Sequence, residues 1–354
     1  MGSNLYPNMY IVFVADPGIG KGEVTWRIRE MWKNIEDHFV ASSSVTKASL
    51  MDELAEANRR WITHDPINPV EHFNSILLCI NELGVFLPSY DNELMNSLTD
   101  LWDCKDYSET RRSHRHQGIT IQKTQLNMLA ACTPSYLMYL LPEGAWDQGF
   151  ISRTMLIFSG ERQVRSLFAD YNTDTTEQEF LQDQLSCIAN IYGEIKFVEE
   201  SAELVDNFHM RDGEISAPAH PKLHSYSIRR TVHLLKLCMV ASISRSGELV
   251  IRSEDYQRAL DWLIEAEKYM PDIFKAMATG GAGKVMEEAW YFIFTIYAKE
   301  QKPMLEHRLI QFLQERVPVH NIKNTIDMME KGKMIEQRLT KVGKAYIPLG
   351  KRGM

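Results

Sequence analysis

Short, unbroken apolar runs punctuate the first half of the chain, separated by longer stretches in which apolar positions recur every three to four residues. The runs are Met9 to Val14 (MYIVFV), Ile76 to Ile80 (ILLCI), Leu126 to Ala131 (LNMLAA) and Thr154 to Phe158 (TMLIF). Runs this short and this continuous predict strands covered on both faces, and the helical spacing between them predicts the covering helices. The expected fold class is therefore α/β, a mostly parallel sheet with helices on both faces. After Gly160 the pattern turns helical. A break at Ala217-Pro218-Ala219-His220-Pro221 precedes two long predicted helices, Ser227 to Ile243 and Ser253 to Phe274. The small-residue stretch Ala278 to Gly283 (ATGGAG) reads as a linker. Beyond it the spacing predicts helices over Val285 to Ala298, Leu305 to Arg316 and His320 to Lys331, then a hairpin from Met334 to Pro348 turning at Val342-Gly343-Lys344. Three helices closed by a basic hairpin is the winged form of helix-turn-helix. The expected division is a core over 1–216, a helical lid over 217–279 and a winged-helix domain over 280–354.

Composition narrows the class. With 44% hydrophobic and 24% charged residues the chain matches ordinary globular usage, which argues against disorder, and its 354 residues suit two or three domains. No apolar run approaches the roughly 20 residues of a membrane helix, and the opening MGSNLYPNMY lacks the basic and apolar regions of a signal peptide. A soluble, cytoplasmic protein with no membrane partner is expected. Cys79, Cys104, Cys132, Cys187 and Cys238 are dispersed without a CxxC pair, which argues against a disulfide framework or a structural zinc site. The net charge of -8 argues against wholesale coating of nucleic acid but leaves room for local basic patches.

The strongest local signal is Ala15-Asp16-Pro17-Gly18-Ile19-Gly20-Lys21-Gly22, lying between the first predicted strand and a predicted helix. A glycine-rich turn at a helix N-terminus exposes backbone N–H donors, and the helix dipole favours negative charge there. Lys21 would reach the terminal phosphates. Against the pattern GxxxxGK[ST], Ala15 replaces the first glycine and Gly22 the hydroxyl residue that holds Mg²⁺. ILLCINE then supplies a strand ending in a carboxylate. Glu82 can orient a water molecule, while Asn81 stands where an aspartate would face the metal. Both metal-side positions thus lack their strongest ligands.

The succession ADPGIGKG, ILLCINE, LNMLAACTP, GFISR and SYSIRR resembles the AAA+ ATPases, most closely the primase-helicase-like ATPases of phages and mobile elements, which are similar in plan to minichromosome-maintenance helicases. The resemblance covers roughly Met9 to Phe274, with a winged unit as a common companion. It implies a P-loop ATPase core whose cofactors are ATP and Mg²⁺, with Pro17, Gly18, Gly20, Lys21, Gly22 and Glu23 around the nucleotide and Asn81 and Glu82 on the metal side. Thr133 matches the polar sensor of the γ-phosphate. Arg153 looks like the arginine finger that completes a neighbour's site, and Arg229 or Arg230 like the second sensor on the lid. A finger requires a homo-oligomer, and the resemblance implies a ring, a hexamer.

Two segments carry the expected nucleic-acid contacts. From Arg111 to Lys123 there are four Lys or Arg (Arg111, Arg112, Arg115 and Lys123), two histidines (His114 and His116) and no carboxylate. Alternation in GITIQK and the turn-forming Gln117-Gly118 predict a hairpin. In the resembled families a hairpin at this point projects into the central pore and grips DNA; a merely solvated face is the alternative. From Lys331 to Met354, seven basic residues, Lys341 and Lys344 among them, stand against one carboxylate, Glu336. Phosphate contact through the wing and protein docking are the two readings of that patch. Trp290, Tyr291, Phe292 and Phe294 fall at core spacing and are expected to pack. The expected function is an ATP-dependent motor on DNA, single-stranded by preference: a phage or mobile-element replicative helicase in the host cytoplasm, with a primase or polymerase as a further partner. The alternatives are an initiator or helicase loader using nucleotide as a switch, and a weakly hydrolysing assembly protein.

Overall fold

The computed structural model describes residues 4–42, 44–63, 65–88, 91–110, 118–141, 146, 149–160, 175–211, 217–218, 220–278, 283–317, 322–340 and 343–349. They fall into two compact units, Met1–Ile273 and Phe274–Met354.

The first unit opens with β1 (Tyr10–Val14), α1 (Lys21–Lys33), β2 (Phe39–Val40), α2 (Lys47–Glu56), β3 (Asn58–Ile62) and β4 (Val70–Ile80). There follow α3 (Leu83–Phe86), α4 (Asn92–Leu101), a β5 (Tyr107–Thr110) and β6 (Gly118–Ile121) ribbon, β7 (Thr124–Cys132), α5 (Pro134–Leu140), α6 (Gly149–Ser152) and β8 (Thr154–Phe158). Strands β2, β4, β7, β1 and β8 lie side by side in that order, all parallel. The fold class expected from the apolar runs is thus present as an α/β unit with a mostly parallel sheet. β1 is an interior strand between β7 and β8, and Tyr10, Val12 and Val14 are buried.

β4 is longer than its apolar run. Its first half, VEHFNS, is polar enough to hide its strand character, yet residues 70–74 pair antiparallel with β3 while 76–77 pair parallel with β2. Asn74 sits at this junction, buried, and its amide donates to Leu54 O and Ala55 O at 3.0 Å each. These are among the last carbonyls of α2, which have no partner within the helix. A polar residue in a strand thereby terminates a helix 20 residues earlier in the chain.

The rest of the unit is helical apart from a short parallel pair. In order come α7 (Thr175–Ala189), β9 (Lys196–Phe197), α8 (Glu199–Met210), a 3-10 turn at Pro221–Leu223, α9 (His224–Ile228), α10 (Arg230–Ser246), β10 (Val250–Ile251), α11 (Ser253–Lys268) and α12 (Met270–Ala278). The helix expected over Ser253 to Phe274 is divided at Tyr269, because Pro271 offers no N–H to continue the ladder. Helices α7 to α11 belong to the same compact unit as the sheet, and the boundary between the units falls within α12. Arg230 and Glu267, each 1% exposed in the side chain, tie α10 to α11 through two hydrogen bonds of 2.8 and 2.6 Å. Removing one partner of such a buried pair costs about 3–5 kcal/mol, since the other charge is left desolvated.

The second unit holds α13 (Lys284–Glu300), β11 (Met304–Leu305), α14 (Glu306–Gln314), α15 (Ile322–Lys331), β12 (Ile335–Thr340) and β13 (Gly343–Pro348). The strands form an antiparallel sheet ordered β11, β13, β12. Ala289, Ile293, Leu309, Leu313, Ile326 and Met329 supply its buried core. The aromatic quartet of α13 divides. Trp290 and Phe292 pack against that core, Phe292 stacking on Phe312 at 4.5 Å, whereas Tyr291 is 66% and Phe294 46% exposed. Phe294 still stacks on Trp290, four residues earlier on the same face, at 5.3 Å, so the expectation of packing fails for Tyr291, which is turned about 100° from Trp290.

Candidate functional site

The glycine-rich loop begins where β1 ends. Ala15 N donates to Cys132 O at 3.2 Å, so the chain leaves the sheet beside the end of β7. Gly18 and Gly20 have φ of +82° and +96°, left-handed values that a side chain disfavours. Gly20 is the N-cap of α1 and supplies no side chain to the first-turn donors. A Cβ built on Gly18, Gly20 or Gly22 meets no atom within 4 Å, so the loop faces open space. Lys21 is the first residue of α1, and its ammonium donates to Ala15 O at 2.6 Å and Asp16 O at 2.9 Å, curled across the loop. Pro17 is exposed beside it, and Glu23 pairs with Arg27 at 2.8 Å on the outer face of the helix.

Glu82 follows β4 as the N-cap of α3, and Thr133 follows β7 as the N-cap of α5, its hydroxyl accepting from Tyr136 N at 3.3 Å. Both positions lie at the carboxyl ends of neighbouring strands, β7 being paired with β1 and β4 with β7. Lys21 after β1, Glu82 after β4 and Thr133 after β7 therefore lie at the carboxyl ends of three adjacent parallel strands. Burial pushes the pKa of the Cys132 thiol up to about 12, with the Glu82 charge adding to the rise and Lys21 opposing it. In open α/β sheets ligands bind outside the carboxyl ends of the strands where the strand order reverses. β1, whose chain neighbour β2 lies at the far edge of the sheet, is such a point.

Three further residues, Thr25, Gly84 and Tyr136, shape this site and were not singled out in the sequence. Thr25, fully buried on α1, donates its one hydroxyl proton to Asn81 Oδ1, with Gly22 O also 3.0 Å from the hydroxyl. Gly84 lies so close to Tyr136 that a Cβ would come within 2.1 Å of its ring, and the Tyr136 hydroxyl donates to Gly84 O at 3.3 Å. This contact locks the turn after β4 to the turn after β7. Its signal in the sequence is limited to a glycine two residues beyond the strand-terminal carboxylate.

The arginines gather elsewhere. Arg153 immediately precedes β8, whose first residue is level with the first residue of β1. At ~3.3 Å per strand residue it stands about 20 Å from the glycine-rich loop. It is 8% exposed; Nη1 donates to Gly149 O at 3.2 Å and Nη2 to Asp103 at 3.5 Å, while Nε is buried without a hydrogen-bond partner. Arg153, Arg229 and Lys236 all lie over the ring of Trp102, at 5.5, 5.9 and 3.9 Å from its centre. Burial lowers the pKa of Arg229, and the neighbouring charge of Arg153 lowers it further. Of the two arginines in SYSIRR, Arg230 is engaged with Glu267 in the interior, and Arg229 joins Arg153. Neither Arg153 nor Arg229 is brought to Lys21 within one chain.

An antiparallel β5–β6 ribbon is present, but its strands, YSET and GITI, carry no Lys or Arg, and Gly118, expected in the turn, is a strand residue paired with Thr110. Arg111, Arg112, His114 and Arg115 lie outside the described residues. Lys123 stands at the base of the ribbon, where its backbone N–H donates to Asp106 at 2.9 Å and its ammonium pairs with Glu71 of β4. In the second unit Lys344 is exposed on β13 across from Leu339, and Lys341 lies outside the described residues.

The magnesium implied by the resemblance finds a poor donor set. Gly22 has no side chain, the side chain of Asn81 is a neutral amide hydrogen-bonded to Thr25, and Glu82 is the one carboxylate among the residues expected to face the metal. Among the described residues no group of three or more His, Cys, Asp or Glu side chains could hold a metal ion. Nor, among them, is any helix long and apolar enough to cross a membrane. Neither a protein-family model nor a curated protein matches the chain.

Proposed function

We propose that the chain is an oligomeric, nucleotide-dependent ATPase of the AAA+ type that acts on DNA, as a phage or mobile-element replicative helicase does. The observation that carries this reading is the convergence of Lys21, Glu82 and Thr133 at the carboxyl ends of three adjacent parallel strands, in front of an open glycine-rich loop. The loop N–H groups, the dipole of α1 and the Lys21 ammonium hold the phosphates. Glu82, exposed at the strand end, accepts a proton from the water whose oxygen attacks the terminal phosphorus, as the bond to the bridging oxygen breaks. Charge developing on the phosphoryl oxygens needs a guanidinium, and Arg153 and Arg229 stand at the other end of the strands. In an oligomer Arg229, the half-buried one, would serve the loop of a neighbouring copy, which makes the assembly part of the site, whereas Arg153 is buried and held by Gly149 and Asp103 of its own chain. The basic segment from Arg111 to Lys123 and the three-helix, three-stranded second unit, read as a winged helix, are the proposed DNA contacts.

A second reading, nucleotide as a switch in an initiator, loader or assembly protein, is favoured by one specific contact, the hydrogen bond between Thr25 and Asn81 at the position of the missing metal ligands. The test is nucleotide affinity and ATP turnover with and without single-stranded DNA, for the wild type and for Lys21→Ala. Strong stimulation by DNA supports the motor, and tight binding without turnover supports the switch. Wild-type affinity in Lys21→Ala refutes both.

A further inference from the structure

A phosphate loop ordinarily shares its metal with the adjacent strand: a hydroxyl after the lysine reaches it from the helix, and a strand-terminal carboxylate faces it from the other side. Here Gly22 stands where the hydroxyl would be and Asn81 where the metal-facing carboxylate would be, which leaves Glu82 as the one carboxylate at the strand end. The hydroxyl nearest to Gly22 along the helix is that of Thr25, three residues further along α1 and about 4.5 Å deeper at 1.5 Å per residue. It is buried, its one proton donated to Asn81 Oδ1, with Gly22 O 3.0 Å away. Asn81 carries no charge, and its amide is directed at α1.

The protein thereby makes a direct link between α1 and the end of β4, where a metal ion would otherwise bridge them. Space is not the obstacle, since a Cβ on Gly22 meets nothing within 4 Å and its φ is not left-handed. The site lacks donors, not room. What remains to meet phosphate charge is Lys21, the first-turn N–H groups of a 13-residue helix, and the loop backbone.

We infer that this chain binds its nucleotide without requiring magnesium, the Thr25–Asn81 hydrogen bond taking over the ion's structural part in joining α1 to β4. The inference rests on the nucleotide-binding reading and concerns the ground-state complex. It is tested by titrating the full chain with ADP and ATP carrying a fluorescent N-methylanthraniloyl group, once in magnesium chloride and once in EDTA. The expected result is affinities that agree within about twofold in the two media. Restoring the donors with Gly22→Ser, alone and together with Asn81→Asp, is expected to make binding at least about tenfold tighter with magnesium than without, about 1.4 kcal/mol. Wild-type affinity that falls about tenfold or more in EDTA overturns the inference while leaving the nucleotide site standing. Absence of binding in both media overturns the nucleotide reading and the inference together.

Discussion

His233 is a buried base whose titration is expected to weaken the contact between α10 and the sheet-bearing part of the first unit. Its Nε2 donates to Ser152 O at 3.0 Å, Tyr226 stacks on its ring at 5.0 Å, and Trp102 meets it edge-on at 6.3 Å. Burial lowers its pKa from 6.5 to about 4; the Ser152 carbonyl raises it in part, and the charges of Lys236 and Arg229 lower it further. The native state therefore holds fewer protons than the unfolded chain between about pH 6.5 and pH 4, so stability falls as the pH falls through that window. With these two pKa values the loss from this residue between pH 7 and pH 5 is about 2 kcal/mol, and near pH 4 about 3 kcal/mol. Replacement by Gln, which keeps an N–H donor but does not titrate, removes this component. Urea denaturation at pH 7 and pH 5 should show the wild type losing about 2 kcal/mol more than His233→Gln. Equal losses in the two proteins would refute the placement of a neutral imidazole in this interface.

Two further predictions address the proposed site. Glu82→Gln should keep nucleotide affinity and slow ATP hydrolysis at least ~100-fold, the lower scale of a positioned base; equal turnover would make Glu82 a helix cap and nothing more. Charge reversal of Arg111, Arg112 and Arg115 should weaken binding to all single-stranded sequences alike and flatten the slope of log affinity against log salt by about 0.7 for each phosphate no longer neutralised. Replacing Lys341 and Lys344 provides the comparison, and an unchanged slope in the ribbon variant together with a larger loss of affinity in the second would move DNA binding to the second unit.

Local pattern determined much of the architecture. β8 spans the run TMLIF that predicts it, and β1 begins one residue inside its own. The glycine-rich loop sits between strand and helix as its residues require, and each helix of the second unit lies within a few residues of its predicted span. These features are legible because hydrophobic period, glycine and proline act within a few residues of themselves. Tertiary structure decided what a window of sequence cannot carry. The polar first half of β4 becomes a strand because β3 and β7 supply hydrogen-bonding edges. Arg230 is drawn inward by Glu267, 37 residues away, which leaves Arg229 to join Arg153. Asn81 reaches Thr25 across 56 residues, and Tyr136 closes over Gly84 across 52. Each pairing depends on which strand ends and helix faces the packed sheet brings together. The sequence alone marks Lys21 and Glu82 as candidates for the proposed phosphate site; that Asn81 bonds Thr25, and that the arginines stand at the opposite end of the strands, follows from the packing.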